Sequence, residues 1–165
     1  MINLLDYKDL IYNIIGAAMR VHTEAGFGLL EPLYNECLQM ELEEAGIKVE
    51  CEKELDCYYR GRKLKKKYRM DMIVGDDICI ELKSVRNLLP EHRLQLFNYL
   101  KLTRKPFGLL INFGGESLEG ERYIFDESLN DCCLVDRNME PIPQNIGDFT
   151  FEYEDPYEDV IDLKK

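Results

Sequence analysis

The chain has 165 residues and a mass of 19.4 kDa, a length that suits one domain. Its 32 Asp and Glu against 21 Lys and Arg give a net charge of −11, which argues against a protein that coats DNA through bulk positive charge. Ten Tyr and seven Phe within a 45% hydrophobic composition exclude a disordered chain, and no apolar run approaches the ~18 residues of a membrane span.

The first 46 or so residues read as two helices. Leu10, Ile11, Ile14, Ile15, Ala18 and Val21 recur at the spacing of one helix face. Gly26-Phe27-Gly28 interrupts it, and a second helix resumes over Leu29 to Ala45, with Pro32 in its first turn and Gly46 after its end. From Ile47 the period changes to two: residues 47–59, 66–74 and 77–85 are three strands, the last two joined by Gly75-Asp76-Asp77. Pro90 opens a third helix to about Lys101, Pro106 stops it, and Phe107 to Phe113 is a buried strand. Residues 121–125 make the last strand. The order αα-βββ-αβ-β predicts a mixed α/β domain with a central mixed sheet flanked by helices.

Charge is segregated along the chain. Residues 48–105 hold 15 Lys and Arg against 9 Asp and Glu, while residues 126–165 hold 3 against 12. Residues 1–125 are therefore expected to be the folded domain and 126–165 an acidic C-terminal extension. Phe149, Phe151, Tyr153 and Tyr157 give that extension something to dock with, and it is expected to fold against the body; over the basic middle it would compete with phosphates, and a loosely ordered C-terminus is the competing account. Lys65-Lys66-Lys67 with Arg60, Arg62 and Arg69 form a basic run near one hairpin, either a solvated edge that discourages strand pairing or a phosphate track. Residues 1–20 lack a basic start followed by an apolar run, so no signal peptide is read and a soluble cytoplasmic protein is expected, without a membrane partner. The six Cys include no C-x-x-C pair and suit reduced thiols; His22 and His92 lie far apart, so spacing argues against zinc.

The chemistry concentrates in Tyr68-Arg69-Met70-Asp71 and Ile80-Glu81-Leu82-Lys83. Alternation along a strand sends Glu81 and Lys83 to the face opposite Ile80 and Leu82, and Asp71 lies on the adjoining hairpin arm. Two carboxylates so placed could share one divalent cation, and a few carboxylates plus waters are what Mg²⁺ prefers. Lys83 could hold the attacking water or stabilise phosphoryl charge. The chain holds three acid-x-Lys triplets, Asp6/Lys8, Glu81/Lys83 and Asp162/Lys164, about the number its composition gives by chance. Only the middle one sits in an apolar strand with an acid at hairpin distance; a plain amphipathic strand is the competing account. Glu31 also reads as a first-turn acid favoured by the helix dipole, and Gln95 with Tyr99 as a polar stripe on one helix face.

Taken together, Val21-His22, Gly28-x-x-Glu31-x-x-Tyr34, Tyr68-Arg69-x-Asp71, Glu81-Leu82-Lys83 and Gln95-x-x-Asn98-Tyr99 resemble the bacterial GxxExxY proteins of the PD-(D/E)xK nuclease superfamily. The likeness covers about residues 7–125. It implies a restriction-endonuclease-like core with Mg²⁺ or Mn²⁺ held by Glu31, Asp71 and Glu81. It also implies Lys83 as the catalytic lysine beside Asp71 and Glu81, and Gln95, Tyr99 and Arg69 as orienting or substrate-contacting groups. Met70 stands where a Pro usually precedes the first acid.

The implied function is metal-dependent hydrolysis of phosphodiesters in nucleic acid, DNA in preference to RNA. The alternatives are a non-catalytic module of this fold that binds a protein or nucleic acid, and a hydrolase of some other phosphoester. A homo-oligomer or protein partner stays open.

Overall fold

The structure, a computed structural model, describes residues 4–142. Two helices lead: α1 (Leu4–Ala25) and α2 (Glu31–Glu44). They are followed by β1 (Val49–Tyr59), β2 (Arg62–Val74) and β3 (Ile78–Lys83), then by α3 (Pro90–Thr103), β4 (Phe107–Asn112), β5 (Glu119–Asp126) and β6 (Asp131–Val135). The strands form one six-stranded sheet in chain order, antiparallel except for β3 and β4. That parallel pair is joined through α3, because parallel strands need a long crossover where antiparallel ones need only a turn. The fold is thus the mixed α/β sheet with flanking helices that the patterning predicts, consistent with a restriction-endonuclease-like core.

Apolar periodicity decides which face each helix covers. On one side Ile14, Ala18 and Val21 of α1 and Leu38 and Leu42 of α2 pack on Met72, Ile80, Leu82 and Ile111 of the sheet. On the other, Leu96, Tyr99 and Leu100 of α3 pack on Met70, Cys79, Leu110 and Tyr123. Every residue of β4 is buried, which is why Phe107 to Ile111 is a continuous apolar run rather than an alternation. Each fully buried Leu or Ile contributes about 1.5–3 kcal/mol against leaving it in water. All six cysteines are free thiols. Among the described residues no helix is long and apolar enough to cross a membrane.

Two elements differ from the patterning. β2 begins at Arg62, not at 66, because Tyr59 pairs with Arg62 across a tight turn and the basic residues ride on that ladder. Its ladder with β3 involves only Met72, Ile73 and Val74, so the rest of β2 pairs with β1 alone.

The second difference lies past residue 125, where the sheet gains β6. Cys132 pairs with Phe125 and Leu134 with Tyr123. Leu134 enters the core under α3, while Val135 and Met139 enter the core under α1 and α2. The sheet therefore ends at Val135, inside the stretch that composition alone marks as an extension. The expected docking of Phe149, Phe151, Tyr153 and Tyr157 falls outside the described residues.

Candidate active site

β2 parts from β3 immediately before Met72, and Asp71 stands at that fork. Its Oδ2 accepts a hydrogen bond from the backbone N–H of Leu82 at 2.7 Å, satisfying a donor that a continuing strand would have paired. Burial pushes the Asp71 carboxyl up, opposed by that N–H and by Lys83 and Arg69. Glu81 is buried in β3, 1% exposed, with its Oε1 accepting from Lys83 Nζ at 3.1 Å. Its Oε2 is buried without a hydrogen-bond partner. Burial and then the charge of Asp71 raise the Glu81 pKa to about 8, with Lys83 opposing and Glu31 adding to the rise.

Lys83 also donates to Gln95 Oε1 of α3 at 2.9 Å, so one ammonium spans sheet and helix. α3 is anchored on both sides of that contact. Tyr68 donates its hydroxyl to the Gln95 carbonyl. Arg93, two residues earlier, forms a buried fork on Glu121 of β5, its Nε lying 2.9 Å from Oε2, and Tyr123 donates to the same carboxylate.

Glu31 approaches from the N-terminus of α2. Burial raises its pKa first, and the opposing charges of Lys83 and Asp71 both reach it. The loop before it is built by the motif residues themselves. Gly28 adopts φ +92, a backbone conformation that favours glycine. Tyr34 donates its hydroxyl to the Gly26 carbonyl at 2.6 Å and accepts from the Leu29 N–H at 3.2 Å. Its ring stacks on Phe113 at 4.5 Å. Ser84 Oγ, next to Lys83, donates to the Leu29 carbonyl at 2.7 Å, tying the end of β3 to the loop before Glu31.

The structure thus brings Lys83 to Glu81 and Gln95, and lets Asp71 and Glu31 act on Glu81 through charge. It treats the other two expected residues differently. Tyr99 is 1% exposed in the core under α3, its ring 5.8 Å from that of Tyr68, one helical turn beyond Gln95. Arg69 is exposed on β2, 4.0 Å from Glu52, and reaches Asp71 by charge. His22 is 4% exposed, with Nε2 2.9 Å from the carbonyl of Gly115 in the segment between β4 and β5.

Sequence reasoning missed two supports. Asn112 is buried at the end of β4; its Oδ1 accepts from the Val85 N–H at 3.0 Å and its Nδ2 donates to the Val85 carbonyl at 2.9 Å. Gly114 lies so close to the Val85 backbone that a Cβ there would collide with it. Together they hold the segment after Lys83. His92, in the first turn of α3, accepts from the Leu89 N–H through Nδ1 at 2.9 Å. Its pKa is lowered, by burial first and then by Lys83. An Asn closing an apolar strand is the one signal that could have marked the first support.

Whether these groups suit a metal turns on their donors. Among the described residues no three His, Cys, Asp or Glu side chains form a metal-holding group. Mg²⁺ asks for less, since one or two carboxylates with waters and substrate oxygens suffice. An unpartnered, buried Glu81 Oε2 beside Asp71 is a donor set that fits it.

No curated protein matches the chain. Among solved structures it is similar to SSO0001, with 21% identity and a TM-score of 0.41 over 73% of this chain and 69% of that one. The pattern of the PD-(D/E)XK nuclease superfamily matches residues 8–123, a span that includes both strands of the fork, α1 from Lys8 onward, all of α2 and α3, and every residue placed above from Glu31 to Gln95. The chain belongs to the PD-(D/E)XK nuclease superfamily.

Proposed function

We propose that the protein is a Mg²⁺- or Mn²⁺-dependent nuclease of the GxxExxY type, hydrolysing phosphodiester bonds of nucleic acid, with DNA preferred. The observation that carries this reading is Glu81: a buried carboxylate whose Oε2 lacks a partner and whose neighbours include two further carboxyls. A buried acceptor left unmade costs about 1–3 kcal/mol, and a cation shared by Asp71 and Glu81, with Glu31 reaching from α2, would remove that cost. Such an ion would supply a Lewis acid and a bound water of lowered pKa.

The chain's own residues do the remaining work. An ammonium has three N–H donors; Lys83 uses one on Glu81 and one on Gln95, which leaves one for a water or a phosphoryl oxygen. Gln95 fixes where that donor points. Asp71 holds the fork open through the Leu82 N–H while keeping its second oxygen available. Glu31 closes the cleft from the helical side, at the start of α2 behind a loop locked by Tyr34. Arg69, exposed beside the fork, is suited to a phosphate on the approaching strand.

A second reading, a non-catalytic module of the same fold that binds a protein or nucleic acid, is favoured by the net charge of −11, which disfavours turnover on a polyanion. One experiment separates them. The protein is incubated with single- and double-stranded DNA and RNA, with Mg²⁺, with Mn²⁺ and with chelator. Cleavage that requires the ion and is lost in Glu81→Ala is the expected result. A panel left intact under every condition, or cut equally by Glu81→Ala, rejects the nuclease reading.

A further inference from the structure

The β1–β2 hairpin outgrows the sheet. From Asp71 back to Arg62, β2 has no strand neighbour except β1 in its ladders, and at about 3.3 Å per residue this arm is about 30 Å long. Within a chain of net charge −11, residues 52–70 hold eight Lys and Arg against three Asp and Glu. Such segregation onto a projecting two-stranded ribbon is more than a soluble surface requires.

The arm's cations fall into two sets. Lys53 pairs with Glu50 along β1 at 2.9 Å, and Lys63 pairs with Asp56 at 3.0 Å, Lys67 with Glu54 at 3.3 Å and Arg69 with Glu52 at 4.0 Å across the strands, all exposed. Arg60, Arg62, Lys65 and Lys66 are exposed and have no carboxylate at ion-pair distance among the described residues. At the tip, Tyr58 and Tyr59 are 63% and 62% exposed, with the Arg60 guanidinium 5.3 Å over the Tyr59 ring. An edge that only discourages strand pairing needs charge, but it does not need two exposed tyrosines and a stacked arginine. Unpaired cations interleaved with exposed aromatic faces suit a phosphate backbone whose bases are within stacking reach.

We infer that the β1–β2 arm grips the nucleic-acid backbone, with Arg60, Arg62, Lys65 and Lys66 neutralising phosphates and Tyr58 and Tyr59 meeting the bases. The arm is rooted at Asp71, so a strand lying along it is led to the fork between β2 and β3. This inference rests on the nuclease reading for the polyanion it holds. It also accounts for an acidic protein engaging an acidic polymer, since the interaction is confined to one basic projection.

The test is a binding measurement without divalent ions, so that cleavage does not intervene. A labelled 30-nucleotide DNA single strand and its duplex are titrated with the full chain from 50 to 200 mM salt. The arm variant carries Arg60→Gln, Arg62→Gln, Lys65→Gln and Lys66→Gln. The control carries Lys8→Gln, Lys48→Gln, Lys101→Gln and Arg137→Gln, the same change in net charge off the arm. The arm variant is expected to bind about tenfold or more weaker at 50 mM salt. Its slope of log affinity against log salt is expected to fall by about 0.7–0.9 for each phosphate it no longer neutralises. The control is expected to stay within about threefold of the parent, well short of the effect of leaving several phosphates unneutralised.

A further loss with Tyr58→Ser and Tyr59→Ser confined to the single strand assigns the arm to unpaired strands; tighter binding of the duplex without that loss assigns it to duplex backbone. Three outcomes overturn the grip: no binding by the parent, equal slopes for parent and arm variant, or equal losses in arm variant and control. Failure of the nuclease reading is read separately, as binding that depends on the arm without any ion-dependent cleavage.

Discussion

Asp71 accepts the Leu82 N–H with one carboxylate oxygen at 2.7 Å, across the point where β2 leaves β3. One side chain thus does a strand's work at the fork while its charge acts on Glu81. The two duties can be separated. Asp71→Asn keeps an acceptor for Leu82 and removes a buried carboxyl whose pKa is already raised, so its denaturant stability without metal is expected to match or exceed the parent's. Asp71→Ala orphans the N–H and is expected to lose about 1–3 kcal/mol. Both are expected to lose cleavage. Equal stabilities of the two variants would refute the strand-replacing role.

Glu81 gives stability a pH dependence of known sign. Its pKa rises from 4.5 to about 8 on folding, so between those values the native state keeps a proton that the unfolded chain has released. The contribution is fully present below about pH 4.5 and is lost as pH rises toward 8. The slope from this carboxyl is at most about 1.4 kcal/mol per pH unit. Denaturant melts of the metal-free protein at pH 5, 6.5 and 8 are expected to show stability falling, with a smaller fall in Glu81→Gln. Identical pH profiles for the two proteins would remove Glu81 as the source.

Gln95 tests whether α3 serves the site or only packs. Gln95→Ala sits on a helix position where alanine is well tolerated, so the fold is expected to persist. Loss of its bond to Lys83 is expected to lower kcat by about tenfold, equivalent to about 1.4 kcal/mol, with KM little changed. Unchanged kcat in a folded variant would take Gln95 out of the mechanism.

Residues 126–142 and 143–165 should behave differently on truncation. A chain ending at Phe125 loses β6 and the buried Leu134, Val135 and Met139. At about 1.5–3 kcal/mol each, against a typical total of about 5–15 kcal/mol, that loss is expected to prevent folding. A chain ending at Ile142 is expected to fold, and to bind nucleic acid more tightly at low salt because it sheds seven Asp and Glu with only two Lys. Circular dichroism of both truncations, with salt-titrated binding of the second, checks this; a folded chain ending at Phe125 would contradict the role given to β6.

Local patterning carried much of the architecture. The three-and-four spacing of Ile11, Ile14, Ala18 and Val21, the alternation of Ile78, Ile80 and Leu82, and the breaks at Pro90 and Pro106 each report a periodicity that survives folding unchanged. Gly28 and Tyr34 were legible as part of a motif, and the structure supplies their physical work: a positive φ and a phenol that closes the loop before Glu31. β6 was not legible, because Asp131 and Cys132 look like surface and the burial of Leu134 and Val135 comes from opposite faces of a sheet assembled elsewhere. Tyr99 was half legible: its helix face follows from spacing, but its place in the core follows from how α3 lies on the sheet.

By itself the sequence determined the element order through β5, the buried run of β4, the separation of basic middle from acidic ends, and the set of acids and lysine worth watching. Only the tertiary structure decided that β2 parts from β3 at Asp71, that Lys83 spans Glu81 and Gln95, and that the Arg93–Glu121–Tyr123 cluster pins α3. The reason is range. Periodicity reflects neighbours within a few residues, whereas a fork between strands and a buried ion pair join positions 11 and 28 residues apart, whose meeting depends on how every intervening element packs.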